Sequence, residues 1–447
     1  MDLPSALATD LYQLTMMAGY EAIAPVTTCT FELFVRELPS ERAYLVAAGL
    51  HQALDYLEHL RFTADEIAWL RTVPALAPAP ASFFDSVLPE FRFRGDVWAV
   101  DEGEIVFGHE PILRVTARAA EAQLVETALV AMITFQTSVA SKASRVVKAA
   151  AGRPVIEFGS RRAHGLEAAR LAARAACLAG CGATSNVEAA RAYGVPVIGT
   201  MAHSWVMAFE DEIEAFRAYS GLFGPQAVLL IDTYDTVACA QRLVQAGLTP
   251  AAVRIDSGDL AMVSRSVRAI LDAGGLRATR IIVSGDLDEH RIAQLVSSAP
   301  VDSFGVGTSI STVRDAPALG GVYKLVETGR HGYARPTVKL STGKRTFPGR
   351  KQVWRVTERG RALYDVIGLT DETEQEGRPL LKCVMQRGRR LEPSPVFTAL
   401  QHNAQQRIAE MPASVTALEG AVPLTVRISA ALDALARAAH RGAPEQA

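Results

Sequence analysis

The chain has 447 residues, 49% of them hydrophobic and 21% charged, with a formal net charge of −2. That length exceeds one simple layered domain and calls for two or three units of ordinary globular composition. The near-neutral charge excludes a general electrostatic attraction to nucleic acid or anionic membrane, and no uninterrupted apolar run is long enough to span a bilayer. The five cysteines are odd in number and none forms a C-x-x-C pair, which argues against a disulfide framework. The start, MDLPSALATDLYQ, lacks the basic residues and apolar core of a secretion signal, so the expected compartment is the cytoplasm.

The first unit is expected over residues 1–118. LATDLYQLTMMAGYEA reads as a helix, TCTFELFVREL as a strand, and a further helix falls around Gly49–His59. The Pro/Ala-rich run from Pro74 to Ala81 reads as a surface turn or linker. From Phe91 to Val115 an alternating pattern predicts sheet with one solvated face. Residues 119–150 have apolar positions at helical spacing and lead into a central unit expected over 119–330.

That unit repeats one plan: a short apolar run, an abrupt polar ending, then a helical stretch. Strands are predicted at Val155–Phe158, Ala183–Ser185, Val195–Gly199, Val228–Ile231, Val253–Ile255, Ile281–Val283 and Ser303–Val306. Alternation of this kind requires a parallel sheet, and about seven strands favour an α/β barrel, irregular rather than ideal. The final segment, 331–447, opens with the Lys/Arg-rich ARPTVKLSTGKRTFPGRKQVWR. From PSPVFTALQHNAQQRIAEM through VPLTVRISAALDALARAA it reads as helical.

In wound α/β folds the carboxyl ends of the strands carry the chemistry. Here those endings are EFGSRRAHG, GTMAHS, IDTYDT, RIDSGDL, VSGDLDE and GVGTS. Together they suit an anionic, phosphorylated substrate. Gly307 and Thr308, with Ser284 and Gly285 one strand earlier, form two small-residue turns whose N–H and hydroxyl groups can cradle a phosphate. Either turn alone would be a plain strand-to-helix connection. Asp232 and Asp256 fall at strand tips and are candidates for binding ribose hydroxyls or Mg²⁺, or for orienting a histidine. Asp235 and Asp259 sit where helix N-caps are expected, and that reading is preferred for both. His203 follows a strand tip, unlike the other eight histidines. Arg161 and Arg162 offer fixed charge for a carboxylate or phosphate. Phe158 can stack on a flat ring, although in isolation it would be an ordinary core aromatic. Cys177 and Cys181 lie one helical turn apart without a second ligand pair, so they read as core.

Taken in order, TDLYQLTMM at Thr9, EFGSRRAHG, TSNVEAA, GTMAHSWVMAF and LGGVYKLVE at Leu319, with the basic GKRTFPGRKQVWR, resemble the nicotinate phosphoribosyltransferases of NAD salvage. The resemblance covers roughly the first three-quarters of the chain. It implies coupling of nicotinate to phosphoribosyl pyrophosphate, yielding nicotinate mononucleotide and pyrophosphate. Mg²⁺ would assist, and ATP would be a co-substrate hydrolysed through a transient phosphohistidine at His203. It implies that Asp232 orients His203, that Phe158 stacks on the pyridine ring, and that Arg161 helps hold its carboxylate. Tyr12 would reach the ring from the neighbouring subunit of a homodimer. Arg254 and Asp256 would face ribose and ring, with Asp286 near the ribose. Ser284, Gly285, Gly307 and Thr308 would hold the 5-phosphate. Arg314, Lys324 and Lys339 would serve pyrophosphate or ATP. The implied fold is an irregular α/β barrel plus an α/β sandwich built from both chain ends. Two departures stand out. Only Cys383 lies where some relatives carry a zinc-binding cysteine cluster, and Gly285 stands where many carry asparagine.

Four alternatives compete. A nicotinamide phosphoribosyltransferase shares the fold and histidine, but the tandem Arg161–Arg162 favours an acid over a neutral amide. Quinolinate phosphoribosyltransferases are shorter and lack the phosphorylated histidine. A non-catalytic nucleotide sensor would keep the phosphate turns and lose the catalytic set, yet His203, Asp232, Arg161 and Asp256 are all present. A barrel aldolase or metal hydrolase needs a Schiff-base lysine or a metal cluster that the endings do not show.

Overall fold

The computed structural model describes residues 4–23, 27–330, 333–339, 346–373 and 375–441. The chain forms two compact units. One comprises Met1–Ser138, Ala318–Val396 and Gln406–Ala447, the other Val139–Pro317 with Phe397–Gln405. These limits differ from divisions at 118/119 and 330/331. Strand Gly321–Arg330 pairs along Thr28–Val35 and so joins the first unit, and the first half of helix Glu126–Ala149 falls in that unit as well.

The second unit holds six short strands: β1 (Val155–Glu157), β2 (Ala183–Thr184), β3 (Val228–Leu230), β4 (Ala252–Ile255), β5 (Arg280–Val283) and β6 (Ser303–Val306). They lie in the order β2-β1-β6-β5-β4-β3, and every pairing is parallel. The result is a curled half-barrel, the parallel part of the expected irregular α/β barrel. Helices buried against such a sheet demand nearly continuous apolar strands, and β5 and β6 are almost wholly buried. The predicted strand Val195–Gly199 is reduced to a single parallel bridge, Thr184 to Val197. Pro196 has no N–H to extend a ladder.

Four of the strand-to-helix connections end in an Asn or Asp cap. Asn186, Asp235, Asp259 and Asp288 accept from the backbone N–H of Ala189, Ala238, Met262 and Arg291, opening the helices Val187–Tyr193, Thr236–Gln245, Leu260–Ala273 and Glu289–Ser298. Each carboxylate or amide satisfies one orphan donor of a first turn. Asp235 and Asp259 are therefore caps, as preferred from the sequence.

The first unit draws both ends of the chain into one antiparallel sheet. Its order is Tyr333–Pro336, Gly321–Arg330, Thr28–Val35, Leu113–Arg118, Asp96–Ala99, Lys382–Gln386, Arg389–Arg390. A second sheet joins Arg378–Pro379, Lys351–Glu358, Arg361–Leu369 and Thr425–Ile428. Thr425–Ile428 lies in the stretch expected to be helical. Its Thr-Val-Arg-Ile run pairs parallel to residues 364–367, so β-branched side chains and tertiary pairing override helical spacing there. Part of the basic segment, residues 340–345, lies outside the described residues. No helix among the described residues is long and apolar enough to cross a membrane.

Candidate active site

The carboxyl ends of β1, β3, β4, β5 and β6 bring the predicted residues of the second unit together. Phe158 follows β1, and its N–H donates to Val306 O at 2.8 Å, fixing the turn against β6. A methyl on Gly305 would lie 2.5 Å from the Phe158 ring, so glycine at that position leaves room for the aromatic. The Arg254 guanidinium sits over the Phe158 ring, 5.5 Å from its centroid, within cation–π range. Arg161 and Arg162 follow on a short 3-10 turn and are exposed.

Arg254, on β4, is held by three partners. Nε donates to Ser284 Oγ at 2.9 Å, Nη1 to Thr200 Oγ1 at 2.9 Å, and Nη2 to Asp256 Oδ1 at 2.7 Å. The Ser284 hydroxyl also donates to Asp256. Burial pushes the Asp256 carboxyl up, but the Ser284 and Arg254 hydrogen bonds outweigh it and hold the group below the usual carboxylate range. Asp256 therefore stays ionised at neutral pH.

Beside it, Asp232 is buried at the end of β3. Its Oδ2 accepts from the Asp256 N–H at 2.9 Å and the Ser257 hydroxyl at 2.6 Å. Its Oδ1 is buried without a hydrogen-bond partner among the described residues and lies 4.0 Å from His203 Nε2. His203 opens the short helix His203–Met207, and its Nδ1 lies 3.2 Å from Thr233 Oγ1. The imidazole side chain is 41% exposed.

The two small-residue turns follow β5 and β6. Gly285 has φ +97°, and a Cβ there would fall 2.0 Å from the Asp256 carbonyl oxygen. A side chain at this position would push the turn away from Asp256. Asp286, exposed, also has a left-handed backbone (φ 46°). Gly307 packs against the Phe158 carbonyl, and Thr308 starts the next helical turn. Ser309 Oγ donates to Leu287 O at 2.5 Å, tying the turns to each other. Beneath them Glu289 is wholly buried and bound by Lys142 at 2.5 Å and Arg145 at 3.0 Å, with Lys142 also 3.0 Å from Asp315. Arg314, next to that aspartate, is exposed.

Three predicted residues lie in the first unit. Tyr12, 50% exposed on helix Leu11–Ile23, donates to Glu126 at 3.4 Å. Burial and the Glu126 charge push its phenol up. Lys324 stands opposite Glu32 on the sheet, and the backbone N–H of Lys339 donates to Thr346 at 3.3 Å. Cys177 and Cys181 are buried; burial pushes the Cys177 thiol up to about 12 and the Cys181 thiol well up from its ordinary value, so they pack as core.

Four residues at the strand ends were not singled out from the sequence. Thr200, Thr233 and Ser257 contribute the hydroxyls just described, and each lies inside a strand-end motif. Glu157, fully buried, accepts from the Gly159 N–H and from Thr184 Oγ1 at 2.6 Å, bracing the turn that carries Phe158 and Arg161. Burial pushes its carboxyl up, against the pull of those hydrogen bonds.

The arrangement places cationic, hydroxyl and carboxylate groups beside Phe158, together with a histidine–aspartate pair and two small-residue turns. Known proteins match it over most of the chain. Residues 7–134 match the nicotinate phosphoribosyltransferase N-terminal domain, and residues 154–318 match the nicotinate phosphoribosyltransferase family. A nicotinate phosphoribosyltransferase of Mycobacterium tuberculosis is 43% identical over 93% of this chain and 89% of its own. That of Bacillus subtilis is 40% identical over 84% and 78%. The crystal structure of human nicotinic acid phosphoribosyltransferase superimposes with a TM-score of 0.84 at 27% identity, covering 96% of this chain and 99% of the human one. The chain belongs to the nicotinate phosphoribosyltransferase family.

Proposed function

We propose that this protein is a nicotinate phosphoribosyltransferase. It transfers the phosphoribosyl group of phosphoribosyl pyrophosphate to the ring nitrogen of nicotinate, releasing pyrophosphate, in NAD salvage in the cytoplasm. The observation that carries the reading is the Phe158–Arg254–Asp256–Ser284 cluster beside two phosphate-sized turns, in a chain 43% identical to an enzyme of that name.

The pyridine ring stacks on Phe158, and Arg161 takes its carboxylate with fixed charge and planar donors. Tyr12 closes over the ring from a second copy of the chain. Helix Leu11–Ile23 exposes Leu11, Tyr12 and Met16, an apolar face that supports a covering partner. Ser284, Gly285, Gly307 and Thr308 hold the 5-phosphate through N–H and hydroxyl groups. Asp286 and Asp256 face the ribose. As the bond to pyrophosphate breaks, positive charge builds at the anomeric carbon, and the ionised Asp256 stabilises it electrostatically. Arg314, Lys324 and Lys339 serve the pyrophosphate or ATP phosphates.

Among the described residues no three His, Cys, Asp or Glu side chains converge as a metal cage. That donor set suits Mg²⁺ carried in on the diphosphate, which needs few protein ligands; when bound, it neutralises charge on the departing anion. ATP is a co-substrate that transiently phosphorylates His203, with Asp232 as the orienting base. The test is formation of nicotinate mononucleotide by the purified full chain, with and without ATP, in wild type and His203→Ala. Loss of ATP stimulation in the variant supports the phosphohistidine, and retained stimulation removes it.

A further inference from the structure

We infer that Thr233 and Ser257 are positioning residues that lock His203 in one tautomer, with the proton on Nε2 and the lone pair on Nδ1. The geometry runs as a relay across β3 and β4. Ser257 Oγ and the Asp256 N–H both donate to Asp232 Oδ2, at 2.6 and 2.9 Å. One carboxylate oxygen is thereby committed, and the carboxyl plane is fixed. The other oxygen, Oδ1, is buried and accepts no hydrogen bond among the described residues. Nε2 faces it at 4.0 Å.

A buried carboxylate oxygen facing the ring sets the tautomer electrostatically, because it favours an N–H over a lone pair on the nitrogen turned toward it. With the proton on Nε2, Nδ1 must accept, and Thr233 Oγ1 at 3.2 Å can only donate to it. The opposite tautomer would set a lone pair against a buried carboxylate. Asp232 and Thr233 are consecutive, so a single strand end grips both ring nitrogens.

The consequence for chemistry rests on the phosphohistidine reading above. Nδ1 attacks the γ-phosphorus of ATP, forming the N–P bond as the P–O bond to ADP breaks and its electron pair leaves with ADP. No proton need leave the ring. Nε2 keeps its hydrogen toward Asp232, whose charge balances the imidazolium formed, while the Thr233 hydroxyl is released from Nδ1.

The test uses the full chain labelled with ¹⁵N-histidine, the His203 signals being assigned by their loss in His203→Ala. In wild type the neutral ring is expected to show one tautomer, with hydrogen on Nε2. Thr233→Val and Ser257→Ala are each expected to mix the two tautomers, and Thr233→Ser to restore the wild-type pattern. In parallel, the ratio of ATP-stimulated to ATP-free turnover falls about tenfold in both disruptive variants, the scale on which outer hydrogen bonds act at other histidine sites. A proton on Nδ1 in wild type overturns the inference. So does an unchanged tautomer pattern in both variants. Thr233→Ser keeps the test decisive if the valine variant fails to fold. Retained ATP stimulation in His203→Ala would remove the phosphohistidine while the spectra still decide the tautomer.

Discussion

Replacing Gly285 with alanine separates two effects that usually travel together. The backbone there has φ +97°, and an added Cβ would sit 2.0 Å from the Asp256 carbonyl oxygen. That is roughly 1.5 Å short of the ~3.5 Å at which non-bonded atoms attract. Gly275 supplies the control. Its φ is +78°, but nothing lies within 4 Å of a Cβ placed on it. Gly275→Ala should therefore lose only the left-handed backbone preference, about 1 kcal/mol of stability, with unchanged kinetics. Gly285→Ala carries the same strain and must also push the turn away from Asp256. A misplacement of ~1 Å at a binding group can lower turnover by about 10²-fold. kcat/KM for phosphoribosyl pyrophosphate should fall by that order, with a smaller effect on the KM for nicotinate. Steady-state kinetics and thermal unfolding of both variants make the comparison. If Gly285→Ala kept kcat/KM for phosphoribosyl pyrophosphate within about twofold of wild type, while matching Gly275→Ala in stability, the phosphate role of the turn would be wrong.

Asp235→Ala should cost about 1 kcal/mol of stability as a lost cap and leave turnover intact, whereas Asp232→Asn should lower ATP-stimulated turnover by about 10²-fold; the two are read by thermal unfolding and product formation. Phe158→Ala should raise the KM for nicotinate about tenfold, equivalent to ~1.4 kcal/mol of lost stacking and contact, with circular dichroism as the fold control. Because its hydrogen bonds hold the folded Asp256 carboxyl below the unfolded value near ~3.9, its contribution to stability is present above that pH and lost as pH falls through the folded value. Asp256→Asn should flatten this acid limb in denaturant titrations at pH about 5 and below. Arg355, fully buried in the first unit, pairs with Glu104 at 2.7 Å and Asp365 at 2.6 Å. Arg355→Met leaves Asp365 uncompensated, while Glu104 keeps Arg378 at 2.8 Å and Arg407 at 3.3 Å, and should cost about 3–5 kcal/mol, measured by denaturant unfolding.

The second unit was legible from its sequence because each apolar run ends sharply at an Asp, Ser or Gly. Those endings mark both a strand terminus and a site position, so β1, β3, β4, β5 and β6 could be located from local pattern alone. Val195–Gly199 misled because its apolar residues match a strand while Pro196 denies the ladder. Thr425–Ile428 misled for the opposite reason, since it becomes a strand only through pairing with residues 61 positions earlier in the chain. Asp235 and Asp259 were separable from Asp232 and Asp256 because capping geometry follows directly from position before a helix. The hydroxyls of Thr200, Thr233 and Ser257 were not separable, as a threonine or serine in a strand-end motif carries no sign of which way it points. Their partners, Arg254, His203 and Asp232, lie 25 to 54 positions away in the chain, and only the tertiary fold brings them within 2.6–3.2 Å. Tyr12, Lys324 and Lys339 were named through resemblance, and their local sequence offers nothing comparable to the strand endings.

The most direct measurement is product formation by the purified full chain from nicotinate and, separately, from nicotinamide, each with phosphoribosyl pyrophosphate and Mg²⁺, with and without ATP. Turnover of nicotinate alone, increased by ATP, is the expected result. Turnover of nicotinamide at a comparable rate, or of neither ring, would contradict the assignment.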